Sequence, residues 1–166
     1  MKLDFLILNA SGGLEQGKAA DYAMQLNLTA QVNLVINAPP LMSSGGRIVF
    51  VTSHLAHFYG TGPACEGYEV VAASKKSGED ALRAMIPELA ARGIRLVVVS
   101  GDLIEGTITP KLLERQNLGL IDKRKQAVDV LPGVEEFAAA ITLAVTSNGY
   151  SDGETIYVGS TNGDGL

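Results

Sequence analysis

The side chains able to do chemistry are few, and several stand near one another in the chain. Ser53 follows the apolar run Arg47–Thr52, which puts a hydroxyl at the carboxyl end of what reads as a buried strand. His54, His57 and Tyr59 come just after it. Tyr68 and Lys75 are seven residues apart, two helical turns, and would share one helix face. Asn27 lies in another stretch of helical character, and Cys65 has neither a second thiol nor an obvious base. A hydroxyl, a phenol and an amine are the groups needed to hold a substrate oxygen and move a proton at it. No metal site is expected. Each residue also has an ordinary use. Ser53 would simply end its strand, Lys75 would be a solvated helix lysine like Lys76, and Asn27 an amide satisfied inside its helix. The histidines would be satisfied loop residues, and Cys65 inert.

The elements that must position these groups follow from the apolar pattern. Leu3–Leu8, Arg47–Thr52, Ile94–Val99 and Thr155–Val158 are near-continuous apolar runs bounded by Gly, Ser or Asn, as expected of parallel strands covered on both faces. Asp21–Leu41 carries Met24, Leu28, Val32 and Val35 at helical spacing until Pro39-Pro40 disturbs it. Val71–Arg92 repeats Gly78, Leu82, Met85 and Leu89 on one side, with Glu79, Asp80, Arg83 and Glu88 mostly elsewhere, and Gly93 as a C-cap. With that helix beginning near Val70, Tyr68 sits in the loop before it, its ring able to swing into a site. Val134–Thr146 is a third helix, opened by Pro132-Gly133 with Glu135 and Glu136 in its first turn. Thr107–Asp129 breaks the rhythm. It is long and polar, more like an insertion over an active site, and Lys111, Arg115, Lys123, Arg124 and Lys125 read as a solvated face. Alternating strands and helices imply right-handed crossovers and a parallel sheet. The reading is a single α/β domain over residues 1–166.

Composition narrows the partners. A net charge of -5 argues against nucleic acid, which wants a basic patch. No apolar run approaches bilayer length, and Met1–Leu8 is too short, with an Asp inside it, for a signal peptide. A single cysteine fits a reducing compartment. A cytoplasmic protein without membrane partners is the expectation.

Six segments, in order, resemble landmarks of the short-chain dehydrogenase/reductase family. Leu3-Asp4-Phe5-Leu6-Ile7-Leu8-Asn9-Ala10-Ser11 is similar to the family's fourth strand and its Asn-Asn-Ala-Gly end, with Leu8 for the first Asn and Ser11 for the Gly. Asn27 stands where the family has a helix Asn. Gly46–Ser53 resembles the strand that delivers the catalytic serine, and Val71-Ala72-Ala73-Ser74-Lys75 the Tyr-x-x-x-Lys segment, with Val71 in the tyrosine's place. Gly93–Gly101 resembles the sixth strand with Ser100 for Pro, and Gly153–Gly159 the last strand. The resemblance implies a Rossmann-like parallel sheet with helices on both faces, incomplete in its N-terminal half. It implies an NAD(P)-dependent oxidoreductase that transfers hydride between cofactor and a small carbonyl or alcohol. Ser53 would hold the substrate oxygen. Lys75 would bond the nicotinamide ribose and depress a tyrosine pKa, and Asn27 would hold a water in a proton relay. Tyr68, three residues early, is the candidate proton donor, with Tyr59, His54 and His57 as lesser ones. Asn9, Ala10 and Ser11 would approach the adenosine ribose, and Gly101, Leu103, Ile104 and Thr107 the nicotinamide side. A homodimer or homotetramer through the helices from Asp21 and Val71 is also implied.

No Gly-x-x-x-Gly-x-Gly occurs in the chain. NAD or NADP is therefore expected only if an N-terminal part supplies that loop, and Leu3–Leu8 should have a bare pairing edge. The alternative reading is a non-catalytic Rossmann-like binding or scaffold protein that has lost cofactor binding. Substrate and NAD-versus-NADP choice are not legible.

Overall fold

The computed structural model describes residues 2–164. Strands β1 (Leu3–Leu8), β2 (Met42–Ser53), β3 (Arg95–Gly101) and β4 (Thr155–Val158) make one parallel sheet in the order β1-β2-β3-β4. Between β1 and β2 run α1 (Tyr22–Met24), a π turn (Gln25–Thr29), α2 (Ala30–Asn37) and a 3-10 turn at Pro39–Leu41. Between β2 and β3 come α3 (His54–His57), α4 (Glu69–Ala84) and α5 (Ile86–Ala90). Between β3 and β4 lie α6 (Ile108–Gln116), α7 (Leu120–Val128) and α8 (Val134–Thr146).

Side chains alternate across a strand, and both faces here are apolar. The even-numbered Ile48, Phe50, Leu96 and Val98 pack with Val35, Leu82 and Leu89 from α2, α4 and α5. The odd-numbered Val49, Val51, Val97 and Val99 meet Ala144 and Val145 of α8. This double burial is why β2 and β3 read as unbroken apolar runs. Arg47, itself buried, donates to the carbonyls of Ala144, Val145 and Ser147 at the end of α8, satisfying acceptors that a helix terminus leaves open.

β1 is covered less completely. Leu6 and Leu8 join the layer under α2, but Phe5 and Ile7, registered against Arg47 and Val49, lie on the side of α8. That helix packs on β2, β3 and β4, and Phe5 and Ile7 remain 48% and 47% exposed. Among the described residues nothing pairs with the other edge of β1.

Several sequence expectations need correction. The helix expected over Asp21–Leu41 is interrupted by the π turn, and that over Val71–Arg92 is two, starting at Glu69 and broken at Met85 ahead of Pro87. The 107–129 stretch, read as a break in the rhythm of the fold, is itself regular: two helices joined by a turn in which Gly119 takes φ 84°. Arg124 is not part of a solvated face, and Glu79 does not point outward; both are fully buried.

Candidate active site

All four strands point their carboxyl ends the same way, and at the β1–β3 end the backbone must turn off into loops. That is where open parallel sheets hold ligands. β2 delivers Thr52 and Ser53; the turn after β1 delivers Asn9 and Ser11; β3 and its continuation deliver Gly101, Asp102, Leu103 and Ile104. α4 contributes Tyr68, its N-cap residue, and Lys75 two turns on. Asn9, Ser11, Ser53, Tyr68, Lys75, Gly101, Leu103, Ile104 and Thr107 line one cavity of about 190 Å³, with His54 and Asp102 also in its wall.

Ser53 Oγ lies 3.3 Å from the Tyr68 hydroxyl and accepts the Ala56 N–H at the start of α3. Because α4 begins at Glu69, Tyr68 is set before the helix body rather than within it, and its ring packs among Leu55, Val71, Leu103 and Leu113. Burial pushes the Tyr68 phenol above its ordinary pKa, with the Ser53 bond opposing, so the group keeps its proton. Lys75 is not among the groups that shift it, contrary to the expectation of a lysine-depressed tyrosine. Val71, in the motif tyrosine's place, is 3% exposed and belongs to the same apolar cluster.

Lys75 is buried and its Nζ makes no hydrogen bond or ion pair among the described residues. Burial lowers its pKa to about 8, with Glu79 pulling the other way. Glu79 is engaged elsewhere: its carboxylate takes His57 Nδ1 and Arg83 Nε, each at 2.8 Å. His57 Nε2 meets the Tyr157 hydroxyl at 3.0 Å.

Asn27 and Ala10 stand outside the cavity wall. Asn27 lies in the π turn, a device that often marks functional helices. Its side chain is used up: Nδ2 donates to Gly12 O and Ser74 Oγ, and Oδ1 accepts the Gly12 N–H. The carbonyl of Ala10 accepts from Gln31 Nε2. Asn27 thereby ties the turn after β1 to α4.

Sequence reasoning missed the Asp102–Arg124 pair. Arg124 donates through Nε and Nη2 to both Asp102 carboxylate oxygens, and through Nη1 and Nη2 to the carbonyls of Ser160, Asn162 and Asp164. One guanidinium thus binds the end of β3, α7 and the C-terminal tail. A signal existed: Leu120, Arg124 and Val128 form one i, i+4, i+8 stripe, and an arginine in an apolar stripe is buried with a partner. His54 was read as a satisfied loop histidine. It is buried, with Nδ1 2.8 Å from Ser100 Oγ, and burial brings its pKa down to about 4.

A family model described as enoyl-(acyl carrier protein) reductase matches residues 2–160. The chain belongs to the short-chain dehydrogenase/reductase family. No curated protein matches this short-chain dehydrogenase/reductase by sequence. Among solved structures it resembles a short-chain dehydrogenase/reductase, glucose/ribitol dehydrogenase, from Brucella melitensis, with 25% identity and TM-score 0.74 over 95% of this chain and 64% of that one. A blue fluorescent protein from a metagenomic library, solved with NADPH, is 26% identical with TM-score 0.73, covering 94% of this chain and 63% of the other. BdcA, also solved with NADPH, shares the fold at TM-score 0.78 and 23% identity, over 98% and 67% of the two chains. Other solved reductases of this fold are spanned only to 62% of their length. The parallel sheet and its helices are those of a Rossmann-like α/β fold. No helix among the described residues is long and apolar enough to cross a membrane.

Proposed function

We propose that this short-chain dehydrogenase/reductase serves an NAD(P)-dependent oxidoreductase that reduces a small ketone or aldehyde, with Ser53, Tyr68 and Lys75 at the reacting centre. The observation that carries this reading is the 3.3 Å approach of the Ser53 and Tyr68 hydroxyls inside a cavity that also holds Lys75. When bound, a nicotinamide supplies the hydride. Ser53 holds the carbonyl oxygen and Tyr68 gives it a proton, which its raised pKa keeps available through the physiological range. Lys75, with its amine free and facing the cavity, suits a ribose hydroxyl, and Asn9, Ser11, Gly101, Leu103, Ile104 and Thr107 provide the walls around it. The pyrophosphate half of a dinucleotide finds no Gly-x-x-x-Gly-x-Gly turn here, so cofactor binding depends on residues beyond these. Asn27 acts by position: it holds the turn after β1 against α4. A cytoplasmic homodimer through α1, α2 and α4 completes the reading, supported by the exposed Leu34, Ile36 and Val70.

The test is Tyr68→Phe in a form that binds NADPH or NADH, assayed on a panel of small ketones and aldehydes. Turnover should fall roughly 10²–10⁴-fold with little change in cofactor affinity. Unchanged turnover would remove Tyr68 from the chemistry. The non-catalytic reading is favoured by one specific observation, Val71 in the tyrosine's place. It predicts no turnover by either protein.

A further inference from the structure

A buried amine with no counter-ion is a nucleophile in waiting, whatever else its site does. Lys75 is 8% exposed, faces a cavity, and makes neither hydrogen bond nor ion pair among the described residues. The acids near it are committed elsewhere. Glu79, one turn away on α4, is held by His57 and Arg83, and Asp102, across the cavity, by Arg124. The other titratable groups of the wall, His54 and Tyr68, are neutral through burial. Desolvation in an apolar pocket is how lysines become able to attack carbonyls at ordinary pH.

We propose that Lys75 is an imine-forming lysine, whose amine condenses with a small aldehyde in the cavity at the strand ends without any nicotinamide. The Nζ lone pair forms a bond to the carbonyl carbon and the C=O pair moves to oxygen, which takes a proton from the nitrogen. The carbinolamine then loses water: its hydroxyl accepts the Tyr68 proton and leaves, while the nitrogen lone pair forms C=N. The iminium returns its remaining proton to the Tyr68 oxygen. The released water carries one amine proton and the proton from Tyr68, the second amine proton restores the Tyr68 hydroxyl, and nothing is oxidised or reduced. Val51, Leu55, Leu103 and Phe137 give the cavity an apolar side, which suits a short alkyl aldehyde.

The test uses the 166-residue chain with butanal and sodium cyanoborohydride, which reduces an imine to a stable secondary amine. Cleavage after Glu69 and Glu79 leaves Lys75 and Lys76 in one peptide, so fragmentation compares them directly. Lys76 is the internal control, paired on the surface with Asp80. At about pH 8, where the Lys75 amine is half free against well under 1% for an ordinary lysine, Lys75 should be alkylated about tenfold or more faster. The preference should vanish in concentrated urea. Lys75→Arg should abolish the fast label and leave Lys76 reacting as before. Tyr68→Phe should slow Lys75 severalfold without affecting Lys76. Equal labelling of the two lysines in the folded chain would overturn the proposal, and it needs no variant to fold. Because no nicotinamide is present, that result would leave the oxidoreductase reading standing.

Discussion

Lys75 and His54 are basic side chains buried without a counter-ion in contact, and both make stability depend on pH in the same sense. For Lys75 the folded value of about 8 lies below the 10.5 of the free group, so the unfolded chain binds more protons between those limits. Stability therefore rises with pH through that window, and below it the fold carries the whole penalty. At about 1.4 kcal/mol per pH unit the penalty is on the order of 3 kcal/mol. Lys75→Met should accordingly raise the urea midpoint at pH 7 and lose that advantage near pH 10.5. A lower midpoint at pH 7 would mean that Lys75 has a partner in solution. For His54 the window runs from 6.5 down to about 4, and stability should fall as the solution is acidified through it. His54→Asn is expected to flatten that part of the pH profile of the melting temperature. Glu79 acts lower still. Burial pushes its carboxyl up, but His57 and Arg83 hold it below the ordinary carboxylate range, so its contribution is lost only at more acid pH.

At the scale of elements, what the sequence announced and what it hid differ for a physical reason. The bounds of β1, β4 and α8 agree with those expected, because each is an apolar segment cut off sharply by polar or glycine residues. The split between α4 and α5 was not read, although Pro87, which cannot continue a helix from Met85, carried the signal. The π turn was not legible: it puts Ala23, Asn27, Gln31 and Val35 on the buried face at strict four-residue spacing, and because two of these are polar the apolar pattern did not show it. That Ser53 and Lys75 would face the same place could be read from strand end and helix face, and the position of Tyr68 just before the helix followed from where α4 starts. Buried Glu79 looked solvated because charge alone does not show which helix face is covered, while Arg124 was passed over although its apolar stripe marked it. Gly78 records one such hidden contact. A Cβ there would sit 2.2 Å from the Asn27 carbonyl, so α4 and the π turn meet backbone to backbone. Gly78→Ala should cost about 1–3 kcal/mol by overpacking, measured by urea denaturation, although alanine is the better helix former. Arg124→Met should be more damaging, about 3–5 kcal/mol, since it leaves the Asp102 carboxylate buried and unpaired; Arg124→Met with Asp102→Leu should recover part of that loss.

At the scale of the whole chain, Ser53 and Lys75 face one cavity at the strand ends, and no Gly-x-x-x-Gly-x-Gly turn occurs in the sequence to let backbone amides approach a pyrophosphate. Calorimetric titration of the 166-residue chain with NADPH should show no micromolar binding, and a clear isotherm would mean that the turn after β1 does the work of a glycine loop. The same chain should associate in light scattering, since Phe5 and Ile7 add an apolar surface beside an unpaired strand edge.

That edge also fixes how fast individual protons leave the backbone. β1 bonds to β2 on one side, and in a parallel pair only alternate residues of a strand turn their N–H groups toward the neighbour. The amides from Leu3 to Leu8 should therefore fall into two classes in deuterated solvent. One set should exchange as slowly as the sheet opens, and the set between them almost as fast as a free peptide. β2 and β3, bonded on both sides, should show no such alternation. Whatever pairs with β1, a second copy or another strand, would then announce itself by slowing every other residue of a six-residue segment and no others.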